Sequence, residues 1–250
     1  MARVHFLGTG AATSEPERTT TMLALENSLG FLLVDCGGDV WQRALASGLE
    51  PSGFRGLVVT HEHPDHLSGF PLFMEKLWLL GRREPVPVYG IAPALAQARR
   101  SHDAFDTRSW KADGYPDILW RALPHAPGAL VLEDEDWRVH AAPGRHPAPV
   151  IGLRAEDRRG GGVLAYSCDT EPCEAILELA RGAGTLVHEA TGAGPGHSSA
   201  RQAAEVAAAA GAARLLLVHL PRALPETEMA AARRIFAATE KATEGGALEF

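Results

Sequence analysis

The residues best placed to do chemistry are Thr60-His61-Glu62-His63-Pro64-Asp65-His66. Three histidines and an aspartate fall within six positions, directly behind the apolar run Leu57-Val58-Val59. That run reads as a buried strand, so the cluster lies where a strand ends and a helix begins. Side chains leaving such a turn converge on a point; spread along a helix they could not all do so. Four donors, His61, His63, Asp65 and His66, exceed what one metal takes from a local segment. A pair of ions sharing the segment is the natural reading, and imidazole with carboxylate suits zinc, with manganese or iron as alternatives.

A metal pair needs further donors, and strand ends in the second half offer them. His146 follows a strand over 137–142 after a Pro-Gly turn, Asp169 follows a strand over 163–167, and His219 ends the strand 215–218. Polar groups emerging from apolar strands are where ligands gather in layered α/β folds, because the loops there share one edge. His140 competes with His146, but it lies inside an alternating strand whereas His146 sits in the loop beyond.

The elements that must position these groups alternate along the chain. Strands are expected at 4–7, 22–25, 31–34, 57–59 and 86–89, and helices at 40–47, 67–80 and 94–101, the last with Pro93 at its first position. Residues 103–128 are mixed in polarity and carry no assignment. Strands follow at 137–142, 151–155, 163–167, 185–187 and 215–218, with helices at 174–180, 199–210 and 226–238. Two sheets covered by helices and packed as one domain over residues 1–250 fit this order best.

Composition narrows the class. The chain has 250 residues, 46% hydrophobic and 22% charged, ordinary values for a well-cored protein. No apolar run approaches the roughly 20 residues that cross a bilayer. The opening Met1-Ala2-Arg3-Val4-His5-Phe6-Leu7-Gly8 runs straight into a strand and leaves no room for a signal peptide, so a cytoplasmic location without membrane contact is expected. Cys36, Cys168 and Cys173 are odd in number and form no CxxC pair, which predicts buried thiols rather than disulfides. The net charge of −7 argues against broad nucleic-acid affinity, although Arg82, Arg83, Arg99, Arg100 and Arg108 crowd one segment that could form a local basic rim.

Several motifs together resemble the metallo-β-lactamase superfamily, and within it the ribonuclease Z group of phosphodiesterases. The HxHxDH motif is His61 to His66. The opening Leu-Gly-Thr-Gly is Leu7 to Gly10, the early aspartate is Asp35, and the third histidine His146 has Gly152 six positions on. The bridging-aspartate motif is Ser167-Cys168-Asp169-Thr170, and the last histidine is His219. Leu186-Val187-His188-Glu189-Ala190-Thr191 and Gly196-His197-Ser198-Ser199 resemble the two motifs particular to ribonuclease Z.

The resemblance implies an α/β four-layer αββα sandwich of two mixed sheets, and a homodimer, which no single residue shows. It implies one zinc on His61, His63, His146 and Asp169, and a second on Asp65, His66, His219 and the same Asp169. A carboxylate shared between dications about 4 Å apart lowers their repulsion. Asp35 is expected to hydrogen-bond the ligand loop, and His188 to be a buried strand-end residue. The implied reaction is phosphodiester hydrolysis by a hydroxide bridging the metals, with Asp65 accepting a proton from the attacking water. The catalytic set is then Asp65, Glu189 and His197: a carboxylate beside an imidazole raises its pKa, so His197 is charged and protonates the departing oxygen.

Three departures bear on substrate. Only residues 147–168, 22 in all, separate His146 from Asp169, too few for the RNA-gripping arm of ribonuclease Z. The early substrate loop, here Pro16-Glu17-Arg18-Thr19, lacks its asparagine, and Leu220-Pro221-Arg222 replaces an aromatic-rich ending. Transfer RNA 3′ ends and smaller phosphodiesters, cyclic phosphates or nucleotides, are therefore both candidate substrates. A thioester or lactone hydrolase on the same metals, and a metal-binding protein without turnover, are the competing readings.

Overall fold

A computed structural model describes residues 2–13 and 15–250; Met1 lies outside them. The first half forms β1 (Arg3–Gly8), β2 (Met22–Asn27), β3 (Gly30–Val34), α1 (Val40–Ala46), β4 (Phe54–Val59), α2 (Pro64–Leu67), α3 (Phe70–Leu79), β5 (Val86–Ile91), α4 (Ala92–Asp103) and β6 (Ile118–Leu123). The second half forms β7 (Ala129–Glu133), β8 (Trp137–Pro143), β9 (Ile151–Asp157), β10 (Val163–Tyr166), α5 (Glu174–Ala180), β11 (Thr185–Glu189), α6 (Ala200–Ala210), β12 (Leu215–Val218), α7 (Glu226–Ile235), β13 (Thr239–Lys241) and β14 (Ala247–Glu249).

These strands make two seven-stranded mixed sheets, ordered β14-β1-β2-β3-β4-β5-β6 and β13-β12-β11-β10-β9-β8-β7. Each sheet is antiparallel on one side and parallel on the other, with β3 to β6 parallel in the first and β10 to β13 parallel in the second. Parallel strands buried on both faces must read as continuous apolar runs, and Leu215-Leu216-Leu217-Val218 does. Consecutive residues then point to opposite sides. Leu164, Tyr166, Val187, Leu216 and Val218 join the core that also takes in the first sheet, while Ala165, Leu186, Leu215 and Leu217 pack with Ala203, Ala207 and Met229 of α6 and α7. The result is the four-layer αββα sandwich.

Helix ends follow local chemistry. Ser199 caps α6 reciprocally with Gln202, and the alanines behind it fit closely on the sheet. On the other outer face, Trp41 of α1 meets Phe54 edge-on at 5.5 Å between centroids and Phe73 of α3 at 6.0 Å, fixing both helices to the first sheet.

The expected helix over 67–80 is in fact two, α2 and α3. A Cβ at Gly69 would fall 2.0 Å from the Gly38 carbonyl oxygen, so the 36–38 loop presses on the chain and breaks the helix there. Residues 103–128 contain a 3₁₀ turn, Ser109–Asp113, and the edge strand β6. The last helix stops at Ile235, and the chain continues into β13 and then β14, which closes beside β1 with Arg3 opposite Glu249. No helix of the described residues is long and apolar enough to cross a membrane.

Candidate metal centre

Because the parallel strands run the same way, their C-terminal ends open on one edge. Asp35 leaves β3, Thr60 to His66 leave β4 and enter α2, Asp169 follows β10, Glu189 ends β11 and His219 follows β12; His146 comes from the β8–β9 loop. Among the described residues only three non-glycines have positive φ: Asp35 (63°), Cys168 (52°) and His219 (50°). All three lie at this edge. Each such bend costs on the order of 1–3 kcal/mol and persists only where the surroundings enforce it. The loop 35–38 lies directly on the ligand loop: the Cys36 N–H donates to the His66 carbonyl (2.8 Å), and a Cβ at Gly37 would meet the Asp65 carbonyl oxygen at 1.6 Å.

All seven expected ligands meet. One donor atom each from His61, His63 and His146 lie within 4.8 Å of one another, and so do those of Asp65, His66, Asp169 and His219. His146 Nε2 faces His63 Nδ1 at 3.1 Å, and His219 Nε2 faces Asp65 Oδ2 at 3.2 Å. Asp169 Oδ2 lies between the sets, 3.5 Å from His66 Nε2, 3.5 Å from His219 Nε2 and 3.9 Å from His61 Nε2. His140, inside β8 and paired with Arg154, belongs to neither set.

His61 Nε2, His66 Nε2 and Asp169 Oδ1 are buried without a hydrogen-bond partner. Leaving such an atom unpaired costs about 1–3 kcal/mol. Unpartnered buried donors on residues of both sets are explained by cations, and imidazole and carboxylate donors fit divalent metal.

The far sides of the histidines are held. Asp35 Oδ2 accepts from His66 Nδ1–H at 2.7 Å, as expected, and the Gly196 carbonyl accepts from His146 Nδ1–H at 2.8 Å. Thr191 Oγ1 accepts from His219 Nδ1–H at 2.6 Å and donates to the His219 carbonyl at 2.8 Å. These contacts leave each Nε2 lone pair pointing inward. Thr191 and Gly196 lie within the quoted motifs, but no residue pattern distinguishes a hydroxyl or carbonyl that will face a ligand.

Burial, then the neighbouring His66, pushes the His61 pKa down to about 2, and burial also lowers that of His146. Burial opposes charge on His66 too, yet Asp169 and Asp35 raise its pKa well above the ordinary value. Burial alone would raise both carboxyls. The His219 and His66 hydrogen bonds nevertheless hold Asp65 far below the carboxylate range, and the charges of His219 and His66 do the same for Asp169.

Glu189 and His197 stand beside the ligands. Glu189 is fully buried; its Oε1 accepts from His197 Nδ1 (3.1 Å), Ser198 N–H (2.7 Å) and Thr170 N–H (3.3 Å), and its Oε2 from Thr191 N–H (2.8 Å). The Glu189 hydrogen bond raises the His197 pKa against partial burial. The His197 ring lies 5.1 Å from that of His146 and stacks on that of His219 at 5.6 Å. His188 points away, buried, with Nδ1–H donating to the Glu189 carbonyl.

The departures are visible too. β9 and β10 join through a short turn at Gly160 to Gly162, with no arm. The early loop lies against the His219 loop: Leu220 N–H donates to Thr9 O, Ala11 N–H to Leu220 O, and Arg18 to Pro221 O. The arginine segment is largely occupied, with Arg82 and Arg83 on backbone carbonyls, Arg99 over the Trp120 ring and Arg108 paired with Asp106. All three cysteines are free thiols, Cys36 and Cys168 buried and Cys173 only half-buried.

A family profile described as "Beta-lactamase superfamily domain" matches residues 31–220. The chain is 31% identical to a ribonuclease Z of Methanothermobacter thermautotrophicus, covering 98% of this chain and 95% of that one. Among solved structures it resembles the metallo-beta-lactamase fold protein YhfI of Bacillus subtilis (TM-score 0.81, 19% identity, 100% of both chains). It also resembles human tRNase Z, short form (TM-score 0.80, 22% identity, 99% and 98% of the chains). Those two likenesses speak for the fold; the profile and the sequence relative speak for descent. The chain therefore belongs to the metallo-β-lactamase superfamily, most like its ribonuclease Z members, and is a metal-dependent hydrolase.

Proposed function

We propose that this protein is a dinuclear zinc phosphodiesterase of ribonuclease Z type. The observation that carries the reading is the convergence of seven donors in two sets about Asp169, with the Glu189-anchored His197 at their edge. His61, His63 and His146 would hold one ion, Asp65, His66 and His219 the other, and Asp169 both. Zinc held there would supply a Lewis-acid pair that offsets phosphoryl charge and lowers the pKa of water.

The chain's own residues do the rest. Asp65, less buried than Asp169, takes a proton from the attacking water. Glu189, filled by four protein donors, anchors His197 and keeps it charged, and His197 gives its proton to the leaving oxygen. Precursor transfer RNA is the substrate class suggested by the relatives' names. The armless β9–β10 turn favours a second reading, hydrolysis of small cyclic or linear phosphodiesters on the same centre.

Zinc-loaded protein assayed with precursor transfer RNA, a cyclic nucleotide, bis(p-nitrophenyl) phosphate and a thioester tests both. Turnover of a phosphodiester is expected. Turnover of the thioester alone would overturn the phosphodiesterase reading, and turnover of small diesters without transfer RNA would select the second one.

A further inference from the structure

Thr60 precedes the first ligand histidine, is fully buried, and lies against His61, Asp35 and Cys168. Its N–H donates to Asp35 Oδ1 at 2.8 Å, and its hydroxyl lies 2.8 Å from Asp35 Oδ2 and 3.0 Å from Oδ1. An ionised carboxylate only accepts, so the single hydroxyl proton goes to Asp35. The lone pairs of Thr60 Oγ1 are left for His61 Nδ1 at 3.1 Å and the Cys168 thiol at 3.1 Å. The hydroxyl can therefore only accept from His61, which places a proton on Nδ1 and frees Nε2. Asp35 meanwhile accepts from His66 Nδ1–H on the other side.

We propose that Thr60 is a positioning residue that extends Asp35 to the donor set of His61, His63 and His146, so that one buried carboxylate orients His66 directly and His61 through a hydroxyl. Asp35 itself bends into the left-handed region to reach all three donors. The inference rests on the two-metal reading above and deepens it: the two sets share a support on their outer side as they share Asp169 on their inner side.

The test compares wild type with Thr60→Val, Thr60→Ser and Asp35→Asn. Zinc content is measured across a graded chelator series, and the thermal midpoint of each metal-free protein monitors folding. Removing such a support typically costs 10–100-fold in metal affinity. In Thr60→Val one of two zincs is expected to weaken by about that factor. Thr60→Ser is expected to restore it, and Asp35→Asn to weaken both. Ring ¹⁵N–¹H correlations of zinc-loaded wild type should show a protected Nδ1–H on His61 as well as on His66, and in Thr60→Val only the His61 signal should be lost.

Wild type binding fewer than two zincs overturns the dinuclear reading and the relay with it. Two zincs in wild type, with Thr60→Val unchanged, with both sites equally weakened, or without rescue by serine, overturn the relay alone. Should Thr60→Val not fold, a wild-type His61 without a protected Nδ1–H is sufficient to overturn it.

Discussion

The two donor sets face each other across one aspartate, yet they are built on opposite electrostatic plans. His61, His63 and His146 bring no carboxylate of their own, and burial keeps His61 and His146 neutral before any cation arrives. Asp65, His66, Asp169 and His219 bring two carboxylates, and Asp169 together with Asp35 behind the ring favours a proton on His66 in the metal-free protein. The first set is ready to bind but weak in charge; the second is strong in charge but must release a proton first. Asp169 therefore does more for the first set than for its own, because it is the carboxylate that acts on both His61 and His146.

Removing that anion should produce the largest effect. Asp169→Ala is expected to leave less than one zinc per chain and to lower kcat/KM by about a thousandfold or more, checked by elemental analysis beside kinetics. Retention of a full complement would show that the sets are independent. The next effect separates the sets from the proton donor beside them. His197→Ala should keep both zincs but lose roughly 10²–10⁴ in kcat on a poor leaving group, with a much smaller loss on p-nitrophenyl esters, whose leaving group needs no proton.

Glu189→Gln sharpens the same division. Loss of the carboxylate lowers the raised His197 pKa, so the alkaline limb of the kcat–pH profile should move to lower pH while the acid limb stays. The amide cannot accept all four donors, and the metal-free fold should lose about 1–3 kcal/mol, read from denaturant unfolding.

The smallest effect is a difference of slopes. Because the His66 pKa is raised, its proton competes with metal below that pKa, and the second set should weaken about tenfold per pH unit as pH falls. His61 stays neutral down to about pH 2, so the first set should respond less near neutrality. Equal slopes in a zinc titration at several pH values would remove the distinction.

Sequence alone makes the first cluster legible because Thr60 to His66 lie in one strand-to-helix turn, where adjacency already implies convergence. His146, Asp169 and His219 are single residues, readable only because each leaves an apolar strand and because parallel strands end together. The hidden parts are tertiary. Thr60, Thr191 and the Gly196 carbonyl act through orientation, which spacing does not encode. The break between α2 and α3 falls at Gly69, just before Pro71, but the Gly38 carbonyl that presses there comes from a distant loop, which spacing does not show. β13 and β14 are three residues each, too short for a period to show, and β6 is a partly exposed edge strand within an aromatic-rich region.

The left-handed bends at Asp35, Cys168 and His219 mean that the sequence that folds most stably and the one that grips cations best are different sequences. Selection of random variants for heat tolerance alone should drift toward glycine at 168, where a buried thiol and its weak hydrogen bond to Thr60 are given up. Positions 35 and 219 should hold their residues only while the selection also demands metal.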